Sequence, residues 1–192
     1  MKPPAPDVAR LDVARFAAEA AQLAGEWSLE SLSRLHDAQA PDSRRSSEPP
    51  PSVTWSIRGE QRRQGGLANE VWLHLEARTR VELQCQRCLQ ALDAPLEVHQ
   101  RLRFVHGENQ AEQEDADSEE DVLALTRSLD LRRLVEDELL LALPIVPRHD
   151  ACPEPLMVAE HATAPDASEV AIAELEGKPN PFAVLSELKR RQ

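Results

Sequence analysis

Nowhere in the chain is there a run of about 18 apolar residues, so no segment reads as a membrane-spanning helix. The first residues, "MKPPAPDVARLDVARF", are broken by proline and charged, without a hydrophobic signal segment, and point to a cytoplasmic protein. Aromatic residues are few: three Trp, three Phe and no Tyr, which argues against an aromatic platform for stacking single-stranded nucleic acid. The three cysteines, in a reducing compartment, do not make a disulfide framework. Also missing are the glycine-rich phosphate loops, the H-E-x-x-H zinc signature and the G-x-S-x-G nucleophile elbow. The histidines are scattered, at 36, 74, 99, 106, 149 and 161. Glu136, Asp137 and Glu138 are consecutive, so on a helix they cannot face one way as an acid–base pair. The expectation is a protein without enzymatic activity and without a small-molecule substrate.

What is present is unevenly charged. The net charge is -12, but it is carried by residues 107–192, where twenty acidic groups meet eight basic ones. Residues 53–106 hold eight Arg against six acids, and residues 1–52 six basic groups against eight acidic. Acidity of the whole opposes nucleic-acid binding, while the middle section is locally basic.

The chain divides by pattern into an N-terminal helical segment (1–39), a Pro/Ser-rich linker (40–52) and an α+β domain (53–192). Residues 8–24 read as an Ala-rich helix anchored by Val8, Leu11 and Phe16 and stopped by Gly25. Ser28 is expected to cap a second helix with Leu29, Leu32 and Leu35 on one face. The linker, "APDSRRSSEPPPS", has four prolines and four serines and cannot pack. From Val53 the apolar period becomes two: Val53, Trp55 and Ile57, then Val71 to Cys85, then Leu96 to Phe104. Short connections between these strands predict an antiparallel meander with one buried and one wet face, and helices packed on one side. Residues 107–121 carry eight carboxylates and no basic group, and read as a solvated acidic loop lacking the spacing of a calcium-binding loop. Val122 to Leu125 can extend the sheet, and Asp130 caps a helix that buries Leu131, Leu134, Val135, Leu139 and Ala142 and ends before Pro144. A flexible segment (156–177) and a Pro181-led helix close the chain.

Two features carry chemistry. Cys85-x-x-Cys88 lies where a strand reverses, and His149-x-x-Cys152 follows a helix about sixty residues later. Together they form a Cys3His set able to hold one structural Zn2+, although Leu89 stands where a zinc knuckle commonly has glycine. Against this, Cys85 continues the apolar face of its strand and fits a core residue equally well. A thioredoxin-like pair is disfavoured, because no helix N-terminus in a βαβ setting lowers the thiol pKa. The second feature is basic. Arg78 and Arg80 share the wet face of one strand, and Arg101 and Arg103 that of the next. They form either a phosphate-binding patch or an ordinary charged sheet face moderated by Glu76, Glu82 and Glu97.

Three stretches, "LQCQRCLQALDAPLEVHQRLRF", "LDLRRLVEDELLLALPIVPRHDAC" and "KPNPFAVLSELK", closely resemble the bacterial YceD proteins, named for accumulation of large-subunit ribosomal RNA. They span much of residues 81–190 in the family's order and spacing; the N-terminal third departs most from it. Some members carry further cysteines near the position of Cys152, which suits a metal clip. The resemblance implies a cytoplasmic, non-enzymatic ribosome-biogenesis factor promoting accumulation or processing of large-subunit (23S) ribosomal RNA. Its partners would be ribosomal RNA or a pre-ribosomal large-subunit particle, with ribosomal proteins, and no membrane. The rival reading is a protein adaptor that binds a basic ribosomal protein or a processing enzyme without touching RNA. An RNA-processing enzyme would need clustered carboxylates or a histidine pair, and neither is apparent.

Overall fold

The computed structural model describes residues 7–41, 51–63 and 69–153. Most of the linker, the tip of the 61–66 turn, the 156–177 segment and the Pro181-led helix lie outside the described residues. Five strands form one sheet in the order β1 (Gln22–Ser28), β2 (Ser52–Arg62), β3 (Glu70–Gln84), β4 (Ala91–Val105) and β5 (Asp121–Ala124). β1 to β4 make the expected antiparallel meander, but β5 runs parallel to β4, so the sheet is mixed. The reason is the connection. Helix α3 (Glu108–Asp115) lies between β4 and β5 and carries the chain back along the sheet, as a parallel neighbour requires. The segment expected as an acidic loop therefore contains a helix.

The alternation read from the sequence is the alternation in space. Trp55 opposes Ala77, and Ala77 opposes Val98; Leu73 opposes Leu102. These apolar residues face the core with Val53, Ile57, Leu75, Val81, Leu83, Leu96 and Phe104, all buried. Pro95 lies inside β4, yet β5 pairs only with Leu102 to Val105, so the proline falls on an unpaired edge where its missing N–H costs nothing. Helix α4 (Leu131–Leu141) is capped by the Asp130 side chain and buries Leu131, Leu134, Val135 and Leu139, as expected.

The N-terminal segment is organised differently from the helical reading. Only Val13–Ala18 is helical (α1), capped by Asp12, and residues 22–28 are strand β1 at the sheet edge. Gly25, expected to stop a helix, sits in the middle of that strand. A Cβ there would lie 2.8 Å from the Trp55 ring, so its bareness lets the indole pack across the strand pair. Gly59 does the same for α1: a Cβ would come within 2.7 Å of the Phe16 carbonyl oxygen. Ser28 precedes a short 3-10 turn (Leu29–Ser31) and makes no side-chain cap; helix α2 is Ser33–Ala38. Leu29, Leu32 and Leu35 are nonetheless fully buried.

Helix α2 has no capping side chain of its own. Its first N–H groups are taken by Glu136, on α4: Oε1 accepts from the N–H of Arg34 at 2.7 Å and of Leu35 at 3.3 Å. Oε2 accepts from Arg34 Nε and Nη2 at 3.0 and 2.8 Å, and Asp137 takes Nη1 at 2.6 Å. Glu136 is 7 % exposed. A carboxylate so placed fills the donors a helix start leaves open, and it ties the N-terminal segment to α4.

A candidate metal centre and a sheet face of paired arginines

The sequence places Cys85 immediately after β3, on the strand's inward parity, and it is fully buried. The chain then turns through residues 86–88 into β4. Cys85 N–H donates to the Gln90 carbonyl and Leu89 N–H donates to the Cys85 carbonyl, both at 2.9 Å, which folds the turn tightly around the sulfurs. Closing it puts Leu89 at φ 63, the left-handed region where glycine is favoured. The residue that departs from the usual zinc-knuckle pattern has the backbone conformation that glycine would supply. Its side chain is 65 % exposed, so little packing depends on it. Leu89→Gly is expected to stabilise the protein by about 0.5–1 kcal/mol, read as a higher midpoint in urea with unchanged m. An unchanged or lower midpoint would mean the strain is already relieved.

The second ligand pair arrives on the chain that leaves α4. Gln86 N–H donates to the Pro147 carbonyl at 2.8 Å, stitching that chain to the turn. Arg87, between the two cysteines, donates from Nε to Cys152 Sγ at 3.0 Å and from Nη2 to the His149 carbonyl at 3.4 Å. Cys85 Sγ lies 4.0 Å from Cys152 Sγ, and Cys88 Sγ 3.5 Å from His149 Nδ1. All the ligand atoms lie within 4.8 Å of one another. A tetrahedral zinc with ordinary Zn–S and Zn–N bonds needs ligand atoms roughly 3.5–3.8 Å apart, so only a small contraction separates this cluster from a loaded site.

Protonation is arranged to match. His149 Nε2 is 2.9 Å from the Ala91 carbonyl oxygen, which can only accept, so Nε2 carries the proton and Nδ1 turns its lone pair to the sulfurs. Burial pushes the Cys85 thiol up, but the N–H groups of Cys88, His149 and Arg87 outweigh it and bring it down to about 5. Burial pushes Cys88 up, and the neighbouring sulfurs of Cys152 and Cys85 add to this against the Gln90 N–H. Three thiolates around a divalent cation would leave one surplus negative charge, and the Arg87 guanidinium stands where it offsets that charge. Sequence reading named the four residues that the structure brings together and missed Arg87, although its place inside the C-x-x-C turn is a signal that could have drawn attention.

The four sheet arginines share one face by register: Arg78 opposes Glu97, Arg80 opposes Pro95, Arg101 opposes His74 and Arg103 opposes Trp72. They do not gather into one patch. Glu76 and His99, themselves cross-strand partners, separate the Arg78 and Arg80 end from the Arg101 and Arg103 end. Arg78 and Arg80 are 61 % and 63 % exposed, paired with Glu97 at 3.9 Å and Asp93 at 2.8 Å. Such open pairs are worth little and exchange readily. Arg103 is different: its side chain is 17 % exposed and bonds Glu114 of α3 at 2.5 Å, with Glu70 at 4.0 Å. Arg101 meets Glu120 at 3.4 Å. Helix α3 therefore lies on the face opposite the other helices and covers one end of the arginine row.

The protein is an α+β sheet domain whose β3–β4 turn and post-helix loop bring three sulfurs and an imidazole together, a set that could hold a metal ion. The family model described as "Large ribosomal RNA subunit accumulation protein YceD" matches residues 73–189, more than half of the chain. The chain belongs to this family. One curated relative, the large ribosomal RNA subunit accumulation protein YceD of Haemophilus influenzae, is 36% identical over 114 residues, covering 58% of this chain and 61% of the relative. The chain thus aligns with less than two thirds of that relative's length. No solved structure matches. Among the described residues, no helix is long and apolar enough to cross a membrane.

Proposed function

We propose that this chain is a non-enzymatic, cytoplasmic factor that promotes accumulation of large-subunit (23S) ribosomal RNA by binding RNA within a precursor particle. Family membership is the observation that carries the reading. The Cys3His cluster supports its non-enzymatic part. Four protein ligands complete a tetrahedral zinc and leave no open position for a substrate, so the metal would act as a clip between the β3–β4 turn and the post-α4 loop. RNA would meet the wet face of the sheet at Arg78, Arg80, Arg101 and Arg103. The open, weak ion pairs of Arg78 and Arg80 make that end the more available, since a phosphate can replace Glu97 or Asp93 at small cost.

The cleanest test substitutes Arg78 and Arg80 with Ala, because Arg101 and Arg103 also hold α3 and β5 in place. The double variant is expected to fold as the parent and to restore large-subunit RNA only in part in a strain lacking its own copy. Full restoration would show that this face is solvated surface. A second reading, an adaptor for a basic ribosomal protein, is favoured by the eight carboxylates of residues 107–121, which include α3. Pull-down with and without ribonuclease separates the two: a ribonuclease-resistant ribosomal partner supports the adaptor.

A further inference from the structure

The helical side of the protein holds a second set of arginines with a different environment. A groove of about 400 Å³ at the start of α4 is lined by Arg34, Asp130, Arg132, Arg133 and Glu136. Both of its carboxylates are committed to the fold. Asp130 caps α4 through the Arg133 N–H at 3.2 Å, and Glu136 is consumed by the start of α2 and by Arg34. Arg34 is in turn fully engaged by Glu136 and Asp137. What remains facing solvent is Arg132 and Arg133, both exposed and, among the described residues, without a carboxylate partner.

Arg132 is also held in place. Its guanidinium carbon lies 5.2 Å from the ring centroid of Trp27, which stacks against Trp55 with centroids 4.5 Å apart. A guanidinium held over an aromatic face by cation–π attraction keeps N–H groups for a further partner such as a phosphate. Arg127, likewise without a carboxylate partner, lies on the segment leading into α4. The contrast with the sheet face is the decisive point, because Arg78, Arg80, Arg101 and Arg103 each face a carboxylate within 4.0 Å.

We infer that the groove at the start of α4 is a phosphate-binding site for a single strand of RNA, with Arg132 and Arg133 as its contacts and Trp27 as the residue that positions Arg132. The inference rests on the reading that the chain touches RNA directly. It adds a second contact on the side of the sheet away from the arginine row. A groove of nucleotide size takes one strand rather than the full width of a duplex, and phosphate contacts make binding tolerant of sequence and sensitive to salt.

The test uses the full chain and a fluorescein-labelled oligouridylate of about 12 nucleotides, followed by anisotropy across a salt series. Arg132→Gln with Arg133→Gln is expected to weaken binding about tenfold or more at low salt and to lower the salt slope by about 1.4. Arg132→Lys is expected to keep the slope while losing part of the affinity, because it keeps the charge without the stacked fork. Unchanged circular dichroism would show that these exposed substitutions leave the fold intact. If the parent binds and the double Gln variant matches it in affinity and slope, the groove is not the site, while RNA contact elsewhere stands. Loss confined to Arg78 and Arg80 variants would put that contact on the sheet. A parent that binds no oligouridylate even at low salt overturns both direct contact and this site. Polyglutamate competing as well as RNA at equal charge would make the groove a general acidic-polymer surface and overturn the assignment to RNA.

Discussion

Protein purified without added metal is expected to hold close to one zinc per chain, and stripping it with a chelator should lower the melting temperature by about 10 °C. The size follows from linkage. A ligand held by the native state alone, at about a thousand times its dissociation constant, stabilises enough to move the midpoint of a chain this size by that amount. Complete unfolding is not expected, because a core running from Leu11 to Leu139 stands apart from the cluster. The clip secures the β3–β4 turn and residues 147–152, so chelation should raise amide exchange there first. Cys85→Ser should reproduce the loss, since the change falls on a fully buried ligand. Arg87→Gln should leave the metal-free protein's melting unchanged but weaken zinc binding about 10- to 100-fold, as loss of an outer partner usually does. Substoichiometric zinc, with all three thiols reacting quickly in the native protein, would remove the clip from the account.

Glu136→Ala is expected to cost about 3 kcal/mol. The carboxylate accepts four hydrogen bonds, two from backbone N–H groups of α2 and two from the Arg34 guanidinium. Removing it leaves the first turn of α2 uncapped and part-buried, and it leaves the Arg34 guanidinium with Asp137 as its remaining partner. Glu136→Gln is the informative companion, since it keeps one acceptor but gives up the charge and the bidentate geometry, and should fall between the two. Urea unfolding of both variants measures this. A cost under about 0.5 kcal/mol for the Ala variant would mean that α2 is held by Leu32 and Leu35 alone.

That residue also marks a boundary of sequence reading. Within 136–138 the three acids point in different directions, because consecutive helical positions diverge by about 100° each. Nothing in the run says which acid turns inward, since the partner is about a hundred residues earlier and its capping deficit is visible only once α2 is placed. Residues 8–28 are a second such boundary. Local propensity favours helix in an Ala-rich segment, yet the edge of the sheet beside β2 supplies hydrogen bonds for Gln22–Ser28 and a ring for Gly25 to lie beneath. Tertiary pairing overrode propensity there.

By itself the sequence determined the β2, β3 and β4 strands with their inward faces, the Asp130 cap, the inward face of α4 and the two closely spaced Cys/His pairs. Each of these is a matter of period, capping chemistry or short spacing, and short-range physics suffices for them. Only the tertiary structure decided that β5 runs parallel, that α3 crosses to the far face and takes Arg103 into an ion pair, and that Cys85, Cys88, His149 and Cys152 meet. It also decided which arginines are neutralised and which stay open, at Arg132 and Arg133. These depend on contacts between segments far apart in the chain, where parity can say that side chains share a face but not what lies against them.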